Sequence, residues 1–381
     1  MKFICQTKAL KDALHLLKIE SETPREIAMH TLKEKLQLKY YDVDERILIQ
    51  YTIPAEVRAP GTAMTLAEPL EQILEHAHDE ALSFSFHEWH VRLDIEGEKH
   101  RHSLSSRAGR SPGLELLAES DATWYRFDAS HFCQNLKRVL FAVPAEKERP
   151  ERLLLSGVLF HRHEGKDRMV ATDGRRLAVC TLASSGQPKD EEETLPNRAM
   201  PYSACVKFID MIESLEAERC RLRFGEEHLS FECEGVSLRC PWPKGDFPDY
   251  LAILPAPKPP LRVQVNREML IWALELVYAS QRGTDHRTEF RVESGQMTLE
   301  HNHPEIGQAQ VQIPVQYEGA TISAFFDVRF IKEALFQTDT TEVTFCFHPL
   351  EERIQPMILE LGDGFDYLVM PMIEPFTMSM R

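Results

Sequence analysis

The sequence predicts an α+β protein of three repeated domains, each with two helices packed on antiparallel sheets. Two observations predict it. An extended segment running into an amphipathic helix occurs three times, at Lys2 to Leu17, Trp124 to Val139 and Leu261 to Leu276, with starts 122 and 137 residues apart. A second extended-then-helical trio, Met64 to His76, Met200 to Ile212 and Ser323 to Leu335, interleaves with the first. Internal self-similarity marks a repeat architecture, and a third of 381 residues is an ordinary domain size.

The elements follow in order. In the first repeat Leu10, Leu14 and Leu17 recur at helical spacing behind an alternating lead; in the second Phe132, Leu136, Leu140 and Val143 do so. Alternating strands follow each second helix: Leu82 to Phe86 with Val91 to Ile95, Arg221 to Phe224 with Leu229 to Cys233, and Val343 to Phe347 with Met357 to Leu361. Gly362 and Gly364 frame a hairpin turn around Asp363. Linkers fall at Leu117 to Thr123 and at the Pro-rich Leu254 to Pro260, which divides the chain into domains 1–122, 123–258 and 259–381. The acidic run Lys189 to Thr194 reads as a solvated loop within the second domain.

Composition narrows the function. With 43% hydrophobic and 27% charged residues and no apolar run of 18, the chain reads as globular, with no membrane span or signal peptide, and as cytoplasmic. Its eight cysteines form no CxxC pair, so they read as buried thiols and not as a zinc site or disulfide framework. A net charge of -16 excludes a uniformly basic nucleic-acid binder; any DNA contact must use a local basic stripe.

No phosphate loop, nucleophile elbow, HExxH or dinucleotide fingerprint is present. The nearest approach to chemistry is a set of HxH pairs: His76/His78, His100/His102, His161/His163 and His301/His303. On a strand, residues i and i+2 share a face, so His161 and His163 could ligate a metal with Asp173 as a third ligand, which is the pattern of a metal-dependent hydrolase. The competing reading is that 16 histidines in this length produce such pairs by chance.

Four motifs carry a resemblance: Leu153 to Phe160 (LLLSGVLF), Val170 to Val179 (VATDGRRLAV), Phe247 to Leu254 (FPDYLAIL) and Tyr367 to Met372 (YLVMPM). In this order and spacing they resemble the bacterial DNA polymerase III beta subunit, the sliding clamp, over the whole chain. The first domain matches in outline, through Lys2-Phe3, the strand pair around Leu36 to Asp42, and His102 to Ser106. The resemblance implies the DNA clamp fold and a head-to-tail homodimer closed into a ring. Helices would line the hole and sheets would form the outside. It implies a non-catalytic processivity factor with no metal and no cofactor, encircling double-stranded DNA without reading its sequence. A peptide pocket between the second and third domains would receive short linear segments of the replicative polymerase, the clamp loader and repair proteins. A clamp-fold paralogue that binds peptides without a replicative role is the alternative within the family.

Carried over position by position, the pocket lining would be Leu155, Thr172, Gly174, Arg175, Arg176, Leu177, Pro248, Ile253, Pro356, Leu368, Val369, Met370, Pro371 and Met372. Its Leu, Val, Ile and Met side chains would make an adaptable apolar cavity, with Thr172 and the arginines as polar anchors at the rim. Arg175 stands where the family commonly has His, and Ala252 where some members have Arg. The chain runs on past Met372 as IEPFTMSMR, a tail that could lie across the groove.

DNA would meet Lys8, Lys11 and Lys18, which with His15 form one polar stripe opposite the first helix's leucines. Lys137 and Arg138 hold the matching face of the second repeat's helix, and Arg329 and Lys332 that of the sixth helix. Arg25, Arg149, Arg152 and Lys207 are further DNA candidates. The helix after Met64 departs from the pattern, carrying Glu68, Glu71, Glu75 and Asp79 and no Lys or Arg. At the dimer interface, His102 and Leu104 would lie on an edge strand that joins the other subunit near Val277 and Tyr278. His102 stands where a family member has Phe, so the resemblance admits a ring loosened near the unperturbed histidine pKa of about 6.5.

Overall fold

The computed structural model describes residues 1–19, 23–109, 113, 123–151, 153–182, 197–255, 257–281, 286–303, 307–349 and 355–373, with backbone alone at 149–151 and 153. All six expected helices form: α1 (Thr7–Leu16), α2 (Ala67–His76), α3 (Ala129–Leu140), α4 (Tyr202–Ser214), α5 (Arg267–Ala279) and α6 (Val328–Leu335). Each follows directly on a strand, as the repeated pattern requires. The starts of α5 and α6 are fixed by a side-chain cap. Asn266 Oδ1 accepts from Met269 N at 3.0 Å ahead of α5, and Asp327 Oδ1 accepts from Arg329 N at 3.0 Å ahead of α6.

The described residues gather into two compact units, one centred on Met1–Cys133 with Met200–Pro243, the other on Gln134–Ser184 with Lys244–Arg381. In the first unit a continuous antiparallel sheet of 13 strands runs from Trp124–Asp128 to Glu56–Ala59. Strands distant in sequence meet where Val236–Pro241 pairs with Ile47–Pro54, from Val236↔Tyr51 to Arg239↔Leu48. α1 packs on α2 and α4. On α1 the alternation is realised: Leu10, Leu14 and Leu17 are buried and Lys8, Lys11, His15 and Lys18 exposed. Each such leucine contributes about 1.5–3 kcal/mol of burial. Stacked rings, Phe3 on Phe84 at 4.8 Å and Phe208 on Phe231 at 4.1 Å, fill the core.

In the second unit an eight-stranded sheet is joined across the same kind of seam, where Arg176–Thr181 pairs with Phe365–Val369. A four-stranded sheet of Gly307–Pro314, Gln296–His303, Arg287–Glu293 and Ile322–Asp327 completes it, with α5 packed on α6. The Gly362–Gly364 turn is as expected: all three residues take positive φ, 81°, 46° and 71°, closing the hairpin between Met357–Glu360 and Phe365–Val369.

All eight cysteines are buried and unpaired with one another. Burial pushes Cys5, Cys233 and Cys240 up to about 12 and Cys180 and Cys346 up to about 11, so little thiolate exists near pH 8. A chromogenic disulfide reagent at pH 8 should therefore leave the native protein unlabelled and count eight thiols after denaturation. Prompt labelling of the native chain would contradict this core.

Candidate binding cleft and basic helix faces

The four motifs converge within the second unit. Leu159 and Val170, a cross-strand pair, Leu177 and Val179 on the next strand, and Leu368 and Ile358 on the two strands beyond share one apolar cluster with Ala199, Phe247, Tyr250 and Cys346. Leu155, Leu251 and Leu254 pack on it half-buried. Leu177 and Leu368 are thus buried members of that cluster, 4% and 2% exposed, and Val369 and the neighbouring Met357 are fully buried beside them. Leu251, Leu254, Phe247 and Tyr250 lie inside the FPDYLAIL motif but are additions to the expected lining. Tyr250, Leu251 and Leu254 sit on and just after the single helical turn Tyr250–Ala252, opened by Asp249 Oδ1 accepting from Leu251 N at 3.1 Å and followed by Leu254 N donating to Tyr250 O at 3.1 Å.

The last motif is pinned on both sides of its proline. Met370 N donates to Arg175 O at 2.9 Å and Met372 N to Phe325 O at 2.7 Å, while Pro371 between them has no N–H to place. The side chains of Met370 and Met372 remain 39% and 38% exposed, and Ile253 is 51% exposed. Pro248 is exposed and Pro356 half-buried. The tail from Glu374 onward lies outside the described residues.

The expected polar rim is different from a set of free anchors. The turn 173–176 requires glycine at Gly174, with φ 86°. Thr172 Oγ1 donates to Arg176 O and accepts from Gly174 N, and Asp173 Oδ1 accepts from Arg175 N at 2.8 Å and Arg176 N at 3.1 Å. Arg176 itself is consumed by the fold. Its side chain, 9% exposed, bonds Asp173 Oδ2 at 3.0 Å, the Glu333 carboxylate and Phe141 O at 2.9 Å, and lies 4.5 Å over the Phe330 ring. Only Arg175 stays exposed at the rim, tethered to Glu148 at 3.2 Å.

The basic faces divide the same way. Lys8, Lys11, Lys18 and Lys137 are exposed. Arg329 is bound by the Asp327 carboxylate at 2.6 Å, which holds its guanidinium charged, and Lys332 reaches Glu275 at 3.1 Å. Three of the expected DNA residues are buried instead. Arg25 lies against Glu71 at 2.5 Å and Glu68 at 3.8 Å, compensating part of the acidic face of α2. Arg138 turns to Asp363 at 3.4 Å, and Lys207 to Asp210, where burial pulls its ammonium below the usual range. A charge already paired and desolvated cannot also meet a phosphate without breaking that pair. Arg152 and the side chain of Arg149 lie outside the described residues, as does Lys189 to Thr194.

At the expected dimer edge, Arg101–Arg107 pairs along one side with Arg92–Glu96, from Glu96↔Arg101 to Arg92↔Ser105. On its other side, among the described residues, Ser106 and Arg107 pair with Thr65 and Met64, and Ser105 O accepts from Thr65 Oγ1 at 3.2 Å. His102 and Leu104 are half-buried. Val277, expected beside Tyr278 at the partner surface, is fully buried and belongs to its own unit's core; Tyr278 is 39% exposed.

One histidine in each of three HxH pairs is engaged in another bond. His161 Nδ1 lies 3.0 Å from the Tyr250 hydroxyl, His100 Nε2 2.6 Å from Asp79, and His301 Nδ1 2.7 Å from Arg287 O. Asp173 is committed to the arginine turn, and among the described residues no three potential ligands converge on a point.

Comparison with known proteins agrees with this geometry. Residues 127–249 match the family model of the DNA polymerase III beta subunit, central domain, and residues 253–373 that of its C-terminal domain. A beta sliding clamp of Pseudomonas putida is 24% identical over 98% of this chain and 100% of its own length, and one of Caulobacter vibrioides 26% over 89% of each. The crystal structure of the DNA polymerase III subunit beta from Pseudomonas aeruginosa superposes with a TM-score of 0.87 at 21% identity, covering 98% of this chain and 100% of that one. The Caulobacter crescentus pol III beta structure gives 0.86 at 23% identity, again over 98% and 100%. The chain has the DNA clamp fold and belongs to the family of the DNA polymerase III beta subunit, the bacterial beta sliding clamps.

Proposed function

We propose that this chain is a cytoplasmic, non-catalytic processivity factor: two copies join head to tail into a ring around duplex DNA and tether the replicative polymerase, the clamp loader and repair proteins by short peptides. The domains would be 1–122, 123–258 and 259–381, the first two joined by the Val236–Pro241 seam and the last two by the Arg176–Thr181 seam. Ring closure would use the unpaired side of residues 101–104, with His102 and Leu104, against the third domain of the second copy near Tyr278. Sliding needs weak, sequence-blind phosphate contacts, and the exposed lysines of α1 on a chain of net charge -16 suit that.

The observation that supports the reading is the apolar cluster built from the four family motifs, with Leu155, Leu251 and Leu254 packed half-buried against it and Met370 and Met372 exposed beyond the last strand. Thioether and branched side chains of this kind adapt to a peptide's Leu or Phe. Met370→Asp with Met372→Asp should weaken binding of a Leu/Phe-bearing polymerase peptide by about thirtyfold or more, the scale of an interface hot spot. Both positions are on the surface, so the melting temperature should hold. Unchanged affinity in a calorimetric titration would reject the cleft. The rival metal hydrolase reading has no support in the geometry, since His161 and Asp173 are both already bonded within the fold.

A further inference from the structure

The hairpin Gly157–His163/Lys166–Thr172 carries a feature that the cleft does not use. Its cross-strand pairs are Leu159↔Val170, His161↔Arg168 and His163↔Lys166, and side chains two apart on a strand share a face. One face of the hairpin therefore runs from the apolar floor of the cleft to a rung of His161 and Arg168 roughly 7 Å further out, then to a rung of His163 and Lys166 at about 14 Å. The opposite face is already neutral, because Arg162 and Asp167 bond there at 2.7 and 3.0 Å.

Four basic side chains thus stand together beside the cleft on a chain of net charge -16. Tyr250 joins the two regions: its ring belongs to the apolar cluster and its hydroxyl meets His161 Nδ1 at 3.0 Å and lies against Arg168. The acids nearby do not match the basic groups. Glu164, in the turn and largely exposed, sits 3.8 Å from His163, and Asp249 acts on His161 while accepting from Leu251 N. Burial first, then His163 and Arg168, hold His161 below the ordinary histidine range, with Asp249 opposing. Arg168 Nε is buried with no hydrogen-bond partner among the described residues. The face thus presents the Lys166 ammonium and the partly exposed Arg168 guanidinium beside two imidazoles, a set of N–H donors that a carboxylate would meet.

We propose that this hairpin face is a carboxylate subsite that receives an acidic stretch flanking the apolar anchor of a docked peptide. The proposal rests on the peptide-docking reading and names a class of partner within it: segments with Asp or Glu within about four residues of their Leu/Phe anchor, the reach of the two rungs for an extended chain. Lys166 is exposed and His163 half-buried at the hairpin tip, away from the floor, so changing them leaves the apolar wall in place.

The test uses the full chain and labelled peptides that share one Leu/Phe anchor and carry an acidic flank before it, an acidic flank after it, or neutral flanks only. At low salt one acidic peptide should bind the unaltered protein about three- to tenfold more tightly than the neutral one, the gain of one or two part-exposed ion pairs. His163→Glu with Lys166→Glu should abolish that gain and leave the neutral peptide's affinity unchanged, and His163→Gln with Lys166→Gln should remove most of it. No gain from either acidic flank, or a gain that survives the charge reversal, would overturn the subsite while leaving the cleft standing. Failure of all three peptides to bind the unaltered protein would overturn the docking reading, and the subsite with it.

Discussion

Arg176→Met is expected to lower the unfolding free energy by about 3–5 kcal/mol, the usual cost of removing one partner from a buried ion pair. The guanidinium sits between the Asp173 carboxylate, itself 4% exposed, and Glu333, 157 residues further along the chain, and also bonds Phe141 O. Burial alone would pull its pKa down. Tyr367, Glu333 and Asp173 overrule that and keep it charged. Without it, Asp173 loses its guanidinium partner, and the rings of Phe330 and Phe141 lose the Arg176 cation at 4.5 and 5.4 Å, Phe330 keeping Arg175 at 5.6 Å. Arg176→Lys should recover part of the loss, because an ammonium can meet one carboxylate but not a carboxylate, a second carboxylate and a carbonyl in one plane. Denaturant unfolding followed by circular dichroism gives the number. A loss below about 1 kcal/mol would show that the turn at 173–176 stands without its arginine.

That role was not legible in the sequence. The motif VATDGRRLAV identified the family and placed Arg176 at the pocket, but its nearest partners come from the turn beneath it, from residue 141 and from α6. Arg25, Arg138 and Lys207 are likewise buried in ion pairs, Lys207 with Asp210 three residues along its own helix. Arg138 finds Asp363 at a separation of 225 residues and Arg25 finds Glu71 at 46, and a local pattern of charges does not say which of them folding will pair. Val277, carried over from the resemblance, lies on a helix whose exposed face carries Met269, Trp272 and Leu276, while Val277 itself turns to the core.

What the sequence did determine is set by short-range physics. The leucines of α1 recur at the helical period and bury, the lysines between them stay in water, and each helix begins where an alternating strand ends. The apolar cluster of the motifs was legible for a different reason. It comes from neighbouring strands of one sheet, so two segments, Val170 to Val179 and Tyr367 to Met372, supply much of it through an uninterrupted register, Arg176↔Val369 to Cys180↔Phe365. Leu251 and Leu254 escaped because a single turn of helix is too short to show a period.

Enclosure, as distinct from affinity, is the central claim, and topology is what separates them. The protein should be assembled by the clamp loader on a nicked circular duplex, then washed in about 1 M salt, where charges more than ~3 Å apart are screened. A closed ring should stay on the circle, because nothing but its own opening lets it leave. It should then depart almost completely once a restriction enzyme cuts the circle, since it slides off the free ends, a difference of well over tenfold in retained protein. Equal retention on circular and linear DNA would mean that the protein grips the duplex directly, and equal loss from both in the salt wash would mean that it never enclosed it; either result contradicts the account.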